Sequence, residues 1–264
     1  MNPRHWIRTG WWKVPSGLRL QLRALWHRLP LGLRRWLRAL WRFRYSPPVG
    51  GVDFGALRRV TPVSNAFGFD RGQPVDRYYI EKFLAHHASY IQGRVLEIED
   101  NFYTLKYGGS RVKTSDVLHV QQGHSQVTII ADLTRADHIP SDAFDCIIFT
   151  QTLQYIYDVR SAILTLYRIL KPAGVLLATF PGISQGHPLE YGDWYWAFTT
   201  QSVSQLFEEA FAAENVRVEA HGNVLAAISS LHGLASEELS EEELDYHDPN
   251  YELLITLRAA KAPS

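Results

Sequence analysis

The stretch GRVLEIEDN, Gly93 to Asn101, decides the fold. Val95, Leu96 and Ile98 make a short, nearly continuous apolar run, the pattern of a parallel strand covered on both faces. Glu97 breaks that run near its carboxyl end. Ligands of open α/β sheets sit just beyond the carboxyl ends of the strands, so an acid there is better explained by a ligand than by a core. Downstream, strand and helix patterns alternate, which makes this strand the expected centre of a doubly wound sheet.

Upstream, Pro74 to Ile91 reads as a helix, with proline in its first turn, Tyr79, Phe83 and Tyr90 at apolar positions, and Gly93 past its end. Downstream, strands are expected at Arg111–Ser115 ending in Asp116, Val127–Ala131 ending in Asp132, Phe144–Phe149 ending in Thr150, Val175–Phe180, Val216–Ala220 and Tyr251–Leu257. Helices are expected at Val159–Leu170, stopped by Lys171-Pro172-Ala173-Gly174, and at Thr200–Phe211, with a helical acid-rich segment from Val224 to Asp245. The expected fold is therefore a Rossmann-like α/β domain. Its sheet has seven mostly parallel strands, with the last antiparallel, and a basic amphipathic helical arm precedes it.

The chain has 264 residues, 46% of them apolar, enough for one α/β domain with an appendage. The single cysteine, Cys146, sits in the apolar run FDCIIF and reads as a buried, inert thiol. One cysteine cannot form an internal disulfide, which fits a reducing compartment.

The net charge of zero hides a split: residues 1–52 carry ten Arg, one Lys and no acid. The rest holds 16 basic and 27 acidic residues, a balance of −11. Six of the eight Trp also fall in the first 41 residues. Leu18, Leu22, Leu25 and Leu29 share one helical face, and Leu33, Trp36, Leu37 and Leu40 another, with Arg on the opposite sides. Such an arm suits an anionic membrane surface or a partner protein; nucleic acid ranks behind both because the remaining domain is acidic. No run is long and uncharged enough to span a bilayer, and Arg interrupts every candidate signal-peptide core. Pro47, Pro48, Gly50 and Gly51 mark a linker. The organisation read from this is an arm at residues 1–48, a linker at 49–66 and a domain at 67–262, in a protein that is cytoplasmic and peripheral to the inner face of the membrane.

Three successive strands end in an acid: Glu97, Asp116 and Asp132, spaced by 19 and 16 residues. An acid after the second strand can accept both hydroxyls of a ribose. One after the third can pair with an adenine amino group while Leu133 packs against the ring. A single acid can equally be a helix cap, but three in order point to a nucleoside-containing cofactor.

The span from about Gly68 to Leu257 resembles the class I S-adenosylmethionine-dependent methyltransferases. The matching pieces are VLEIED, SDV, ADL, FDCIIFTQTLQYIYD and LYRILKPAGVLLATFPG. The approach sequence RGQPVDRYYIEKFL resembles that of a subgroup linked to cell-surface polysaccharide synthesis. The resemblance implies S-adenosylmethionine as cofactor. It places Glu97 and Asn101 at the methionine end, Asp116 and Val117 at the ribose, Asp132 and Leu133 at the adenine, and Thr150 in the site wall. Arg71, Arg77 and Tyr79 become candidates for the cofactor carboxylate. The chain departs from the family's E-x-G-x-G-x-G motif, carrying Glu99, Asn101 and Tyr103 at the three glycine positions. Asn tolerates the left-handed backbone such a glycine adopts; Glu does not.

Methyl transfer asks a protein mainly for alignment and for a base if the acceptor is a hydroxyl. GHPLEYGDWYW offers His187, Glu190, Tyr191 and Asp193, with His187 best by intrinsic pKa. Gln154 can orient an acceptor but cannot be a base. Trp194, Tyr195 and Trp196 can form a stacking wall for a sugar or a cover for the sheet. No zinc-binding spacing, phosphate loop or nucleophile elbow occurs, so no metal is expected. Two functions follow: O-methylation of a saccharide or lipid-linked glycan at a membrane surface, favoured by the acids, or a catalytically inactive binding or scaffold domain, favoured by the lost glycines. A nicotinamide enzyme is disfavoured because no G-x-G-x-x-G follows the first strand.

Overall fold

The computed structural model describes residues 47–121, 125–186 and 193–263, together with Pro30 and Leu33. The chain forms two compact units, Met1–Val60 and Thr61–Ser264. In the first, the described residues hold a single 3-10 turn, Gly55–Leu57; the helices expected over residues 1–48 lie almost wholly outside the described residues.

The second unit is a seven-stranded sheet in the order β3-β2-β1-β4-β5-β7-β6. The strands are β1 (Gly93–Ile98), β2 (Val112–His119), β3 (Ile129–Ile130), β4 (Phe144–Thr150), β5 (Leu170–Pro181), β6 (Val216–His221) and β7 (Leu254–Ala260). Neighbours pair in parallel from β3 to β5, and β7 runs antiparallel to both β5 and β6. The doubly wound sheet centred on the first strand is therefore present, closed by the antiparallel strand β7.

Strand alternation sends residues to two separate cores. Val95, Cys146, Ile148, Val175 and Leu177 meet α1 (Val75–His86) through Val75, Tyr79, Ile80, Phe83 and Leu84. Leu96, Ile147, Phe149, Leu176 and Ala178 meet α2 (Val159–Ile169) and α3 (Thr200–Glu208) on the other face. Full burial on both faces explains the near-continuous apolar strands. Cys146 is fully buried and free, and burial raises its thiol pKa, as an inert thiol requires. Asp158 caps α2 and Thr199 caps α3, each accepting the backbone N–H three residues on.

Several boundaries differ from the sequence reading, each for a local reason. The helix expected to Ile91 stops at His86 and continues as a 3-10 turn, Ala88–Tyr90, before Gly93 enters β1 at φ 68. The third strand shrinks to two residues, and the closing strand begins at Leu254 rather than Tyr251. The acid-rich segment is not one helix. It breaks into α4 (Val224–Leu231), a 3-10 turn and α5 (Glu241–Leu244), because Gly233 at φ 63 brings the backbone onto the Ser64 carbonyl.

The segment's acids pair with residues on and beside α1. Glu238 accepts from the Arg71 Nε at 3.0 Å, and Asp245 accepts from the Lys82 Nζ at 2.6 Å and the Tyr78 hydroxyl at 2.8 Å.

The crossover from β1 to β2 spans residues 99–111 and carries no long α-helix: two α-helical residues, Phe102 and Tyr103, lead into its turns. It contains a π-helical turn, Thr104–Gly108, followed by a 3-10 turn. A dozen residues is about the shortest chain that can return to a parallel neighbour.

Candidate functional site

The carboxyl ends of β1, β4 and β5 lie side by side, and the first of them is built around Glu97. Its side chain is 2% exposed. Its two oxygens accept the backbone N–H groups of Tyr103 at 3.1 Å and Thr104 at 2.7 Å. Burial pushes the Glu97 carboxyl up to about 7, although the Thr104 and Tyr103 amides pull the other way. Glu97 therefore fastens the start of the crossover to the strand and fixes the path of the turn between them.

That turn holds the clearest departure from expectation. Glu99 adopts φ 76, the left-handed conformation that glycine would take without strain, while Asn101 is not among the residues of positive φ. Its N–H donates to the Leu118 carbonyl at 3.0 Å, extending the β1–β2 ladder past Ile98. Glu99 thus holds a backbone conformation that favours glycine. Asn101 instead donates to the Ser115 hydroxyl at 3.3 Å.

Several cofactor candidates are used inside the protein. Asp116 was expected at a strand tip; it lies within β2, paired with Leu96, three residues before the strand ends at His119. It is 7% exposed, and its carboxylate accepts from the Arg94 Nε at 2.7 Å and the Thr128 hydroxyl at 2.9 Å. These two partners let a charged residue sit mid-strand. The tip position, level with Glu99, is filled by His119. Val117 and Leu133 are core residues. Tyr79 is buried, donates to the Leu244 carbonyl at 2.8 Å and stacks on His221. Arg71 goes to Glu238. Asp132 accepts from the Thr134 N–H and hydroxyl, the self-capped turn of a strand end.

Other candidates do gather at the carboxyl edge. Arg77 donates to the Tyr103 hydroxyl at 2.8 Å and lies near the Phe69 and Tyr103 rings, next to the turn that Glu97 holds. Thr150 pairs with Thr179 across β4 and β5. Gln151, at φ 47, turns the chain away from β4. Gln154 is 1% exposed; its amide donates to the Gln151 carbonyl at 2.8 Å, while its Oε1 has no hydrogen-bond partner. The segment after β5 is stitched to this turn: the Tyr195 N–H donates to the Gln154 carbonyl at 2.8 Å and the Trp196 indole to the Ile156 carbonyl at 3.1 Å. Asp193 is exposed and accepts from the Tyr195 hydroxyl at 2.8 Å. His187, Glu190 and Tyr191 lie outside the described residues. Among the described residues no cluster of His, Cys, Asp and Glu could hold a metal ion.

The arrangement joins a fixed turn after β1, suited to an extended polar ligand, to a second wall of aromatic and carboxamide groups after β4 and β5. Residues 81–178 match the family model described as a methyltransferase domain. Over that span, which runs from α1 through most of β5, the chain is similar to a methyltransferase domain. An S-adenosylmethionine-dependent methyltransferase from Archaeoglobus fulgidus is 16% identical, with 75% of this chain and 100% of that chain aligned and a TM-score of 0.50. One from Mesorhizobium loti is 17% identical over 74% and 100% of the two chains, with a TM-score of 0.48. Haemonchus contortus phosphoethanolamine N-methyltransferase 2 is 16% identical with a TM-score of 0.47; 70% of this chain is aligned, spanning 53%, about half, of that protein. No curated protein sequence matches the chain.

Proposed function

We propose that the chain transfers a methyl group from S-adenosylmethionine to a hydroxyl of a saccharide or lipid-linked glycan. The observation that carries this reading is the turn after β1. Glu99 is held at φ 76 where the family has its first glycine, and Glu97 clasps the next two amides of the crossover. The residues fit the donor at its methionine end, with Asn101 and Arg77 beside the turn and Thr150 in the adjoining wall. S-adenosylmethionine supplies a methyl already activated on a sulfonium. The protein's share is to align the acceptor, exclude water and take a proton. The candidate bases are His187 and Asp193, the latter exposed and hydrogen-bonded to Tyr195, and Gln154 is the candidate to orient the acceptor. Asp132 and His119 flank the end where the nucleoside would lie.

A membrane setting is supported by the Arg- and Trp-rich composition of residues 1–46. Among the described residues no helix is long and apolar enough to cross a membrane. A second reading, binding without catalysis, is favoured by the acidic pair Glu99 and Asp100 in the turn. Isothermal titration with S-adenosylmethionine and S-adenosylhomocysteine, followed by transfer of radiolabelled methyl to membrane-derived glycans, tests the two. Micromolar binding with transfer supports the enzyme, binding without transfer supports the second reading, and no binding of either compound removes both.

A further inference from the structure

The exposed aromatic rings beside the β4 tip are not needed by the core. Tyr157 is 70% exposed, Tyr195 44% and Trp196 37%. Tyr157 and Trp196 lie nearly parallel, their centroids 6.0 Å apart at 29°, and Tyr195 meets Tyr157 edge-on at 5.4 Å. Trp194, which the sequence groups with them, turns away to pair with Tyr155 at 5.4 Å. Two of the three are anchored: the Trp196 indole N–H and the Tyr195 backbone N–H each donate to a carbonyl of the turn after β4, and the Tyr195 hydroxyl donates to Asp193. Exposed, immobilised aromatic area of this kind marks a binding surface.

From this arrangement we infer that Tyr157, Tyr195 and Trp196 form the acceptor platform and that its occupant is a pyranose ring. The inference rests on the methyl-transfer reading only for the word acceptor. The exposed faces of two near-parallel rings suit the apolar C–H face of a sugar; a quaternary ammonium group needs ring faces converging on one point. The rim is polar, as ring hydroxyls require. The Asp193 carboxylate accepts from the Tyr195 hydroxyl and has further lone pairs. Gln154, whose backbone carbonyl accepts the Tyr195 N–H, carries a buried side-chain Oε1 without a partner.

The test is saturation-transfer difference NMR on the full chain with methyl glycosides of glucose, galactose, mannose and rhamnose, and with choline as the cationic probe. S-adenosylhomocysteine titration runs in parallel. At least one glycoside should show transfer to its ring C–H protons. Tyr157→Ala and Trp196→Ala should reduce that signal at least about fivefold, an effect near 1 kcal/mol. Tyr157→Leu keeps apolar area without a ring and should lose the signal equally. Tyr157 projects into solvent, so its variants should keep the parent melting temperature. No glycoside signal, an unchanged signal in the Tyr157 variants, or choline showing the same dependence on Tyr157 each overturns the platform. Glycoside binding without S-adenosylhomocysteine binding sinks the methyl-transfer reading and leaves the platform standing. The reverse result does the opposite.

Discussion

Glu99 offers a sharp quantitative test because its side chain and its backbone make opposite demands. The side chain is exposed, and the backbone holds φ 76. A left-handed conformation costs an ordinary L-residue about 1–2 kcal/mol, and glycine escapes that cost. Glycine also loosens the unfolded chain, which takes back about 0.4–1 kcal/mol. The Glu99 N–H bond to Leu118 belongs to the backbone and survives any replacement. Glu99→Gly should therefore stabilise the protein by about 0.5–1 kcal/mol, or about 2 °C in a domain of this size. Glu99→Ala keeps the strain and gains nothing, so glycine should exceed alanine by about 1 kcal/mol. Urea unfolding of the three proteins, followed by circular dichroism, measures the difference. An alanine variant as stable as the glycine variant would refute the account of the turn.

Glu97 ties stability to pH. Its carboxyl ordinarily titrates at 4.5 and is raised to about 7 in the folded protein. The folded state thus holds a proton that the unfolded state releases, so this group's contribution falls as pH rises from about 4.5 to 7, by up to about 3 kcal/mol. Glu97→Gln should abolish that slope in unfolding experiments at pH 5 and pH 7; parallel slopes in variant and parent would contradict it. Asp116→Asn leaves Arg94 without its charged partner and should lower stability by about 1–2 kcal/mol, the smaller end because Arg94 is 42% exposed. Since Asp116 lies inside β2, S-adenosylhomocysteine affinity measured by calorimetry should change less than about threefold; a tenfold loss would return Asp116 to the cofactor.

The strands were legible because burial on both faces leaves a plain apolar signature, as in Val95–Leu96 and Phe144–Phe149. The site was legible only in outline. The spacing of Glu97, Asp116 and Asp132 was read as three strand tips, but a strand's end depends on its register with its neighbour, which no single strand encodes. Arg94, 22 residues earlier in the chain, makes Asp116 an internal residue. Glu99 was read as incompatible with a left-handed turn; the ladder bond to Leu118 and the clasp of Glu97 hold it there regardless. Tyr157 joined the aromatic surface from a different loop, a juxtaposition invisible until β4 and β5 were set side by side.

The two outer strands of the sheet share a property that matters at high concentration. β3 is only two residues long, and β6 carries Arg217 and Glu219 among its six residues. A brief border and a charged one both make poor templates for another chain's backbone. Self-association through sheet extension is thereby discouraged at either margin, and a purified sample should resist fibril growth until the central strands themselves come apart.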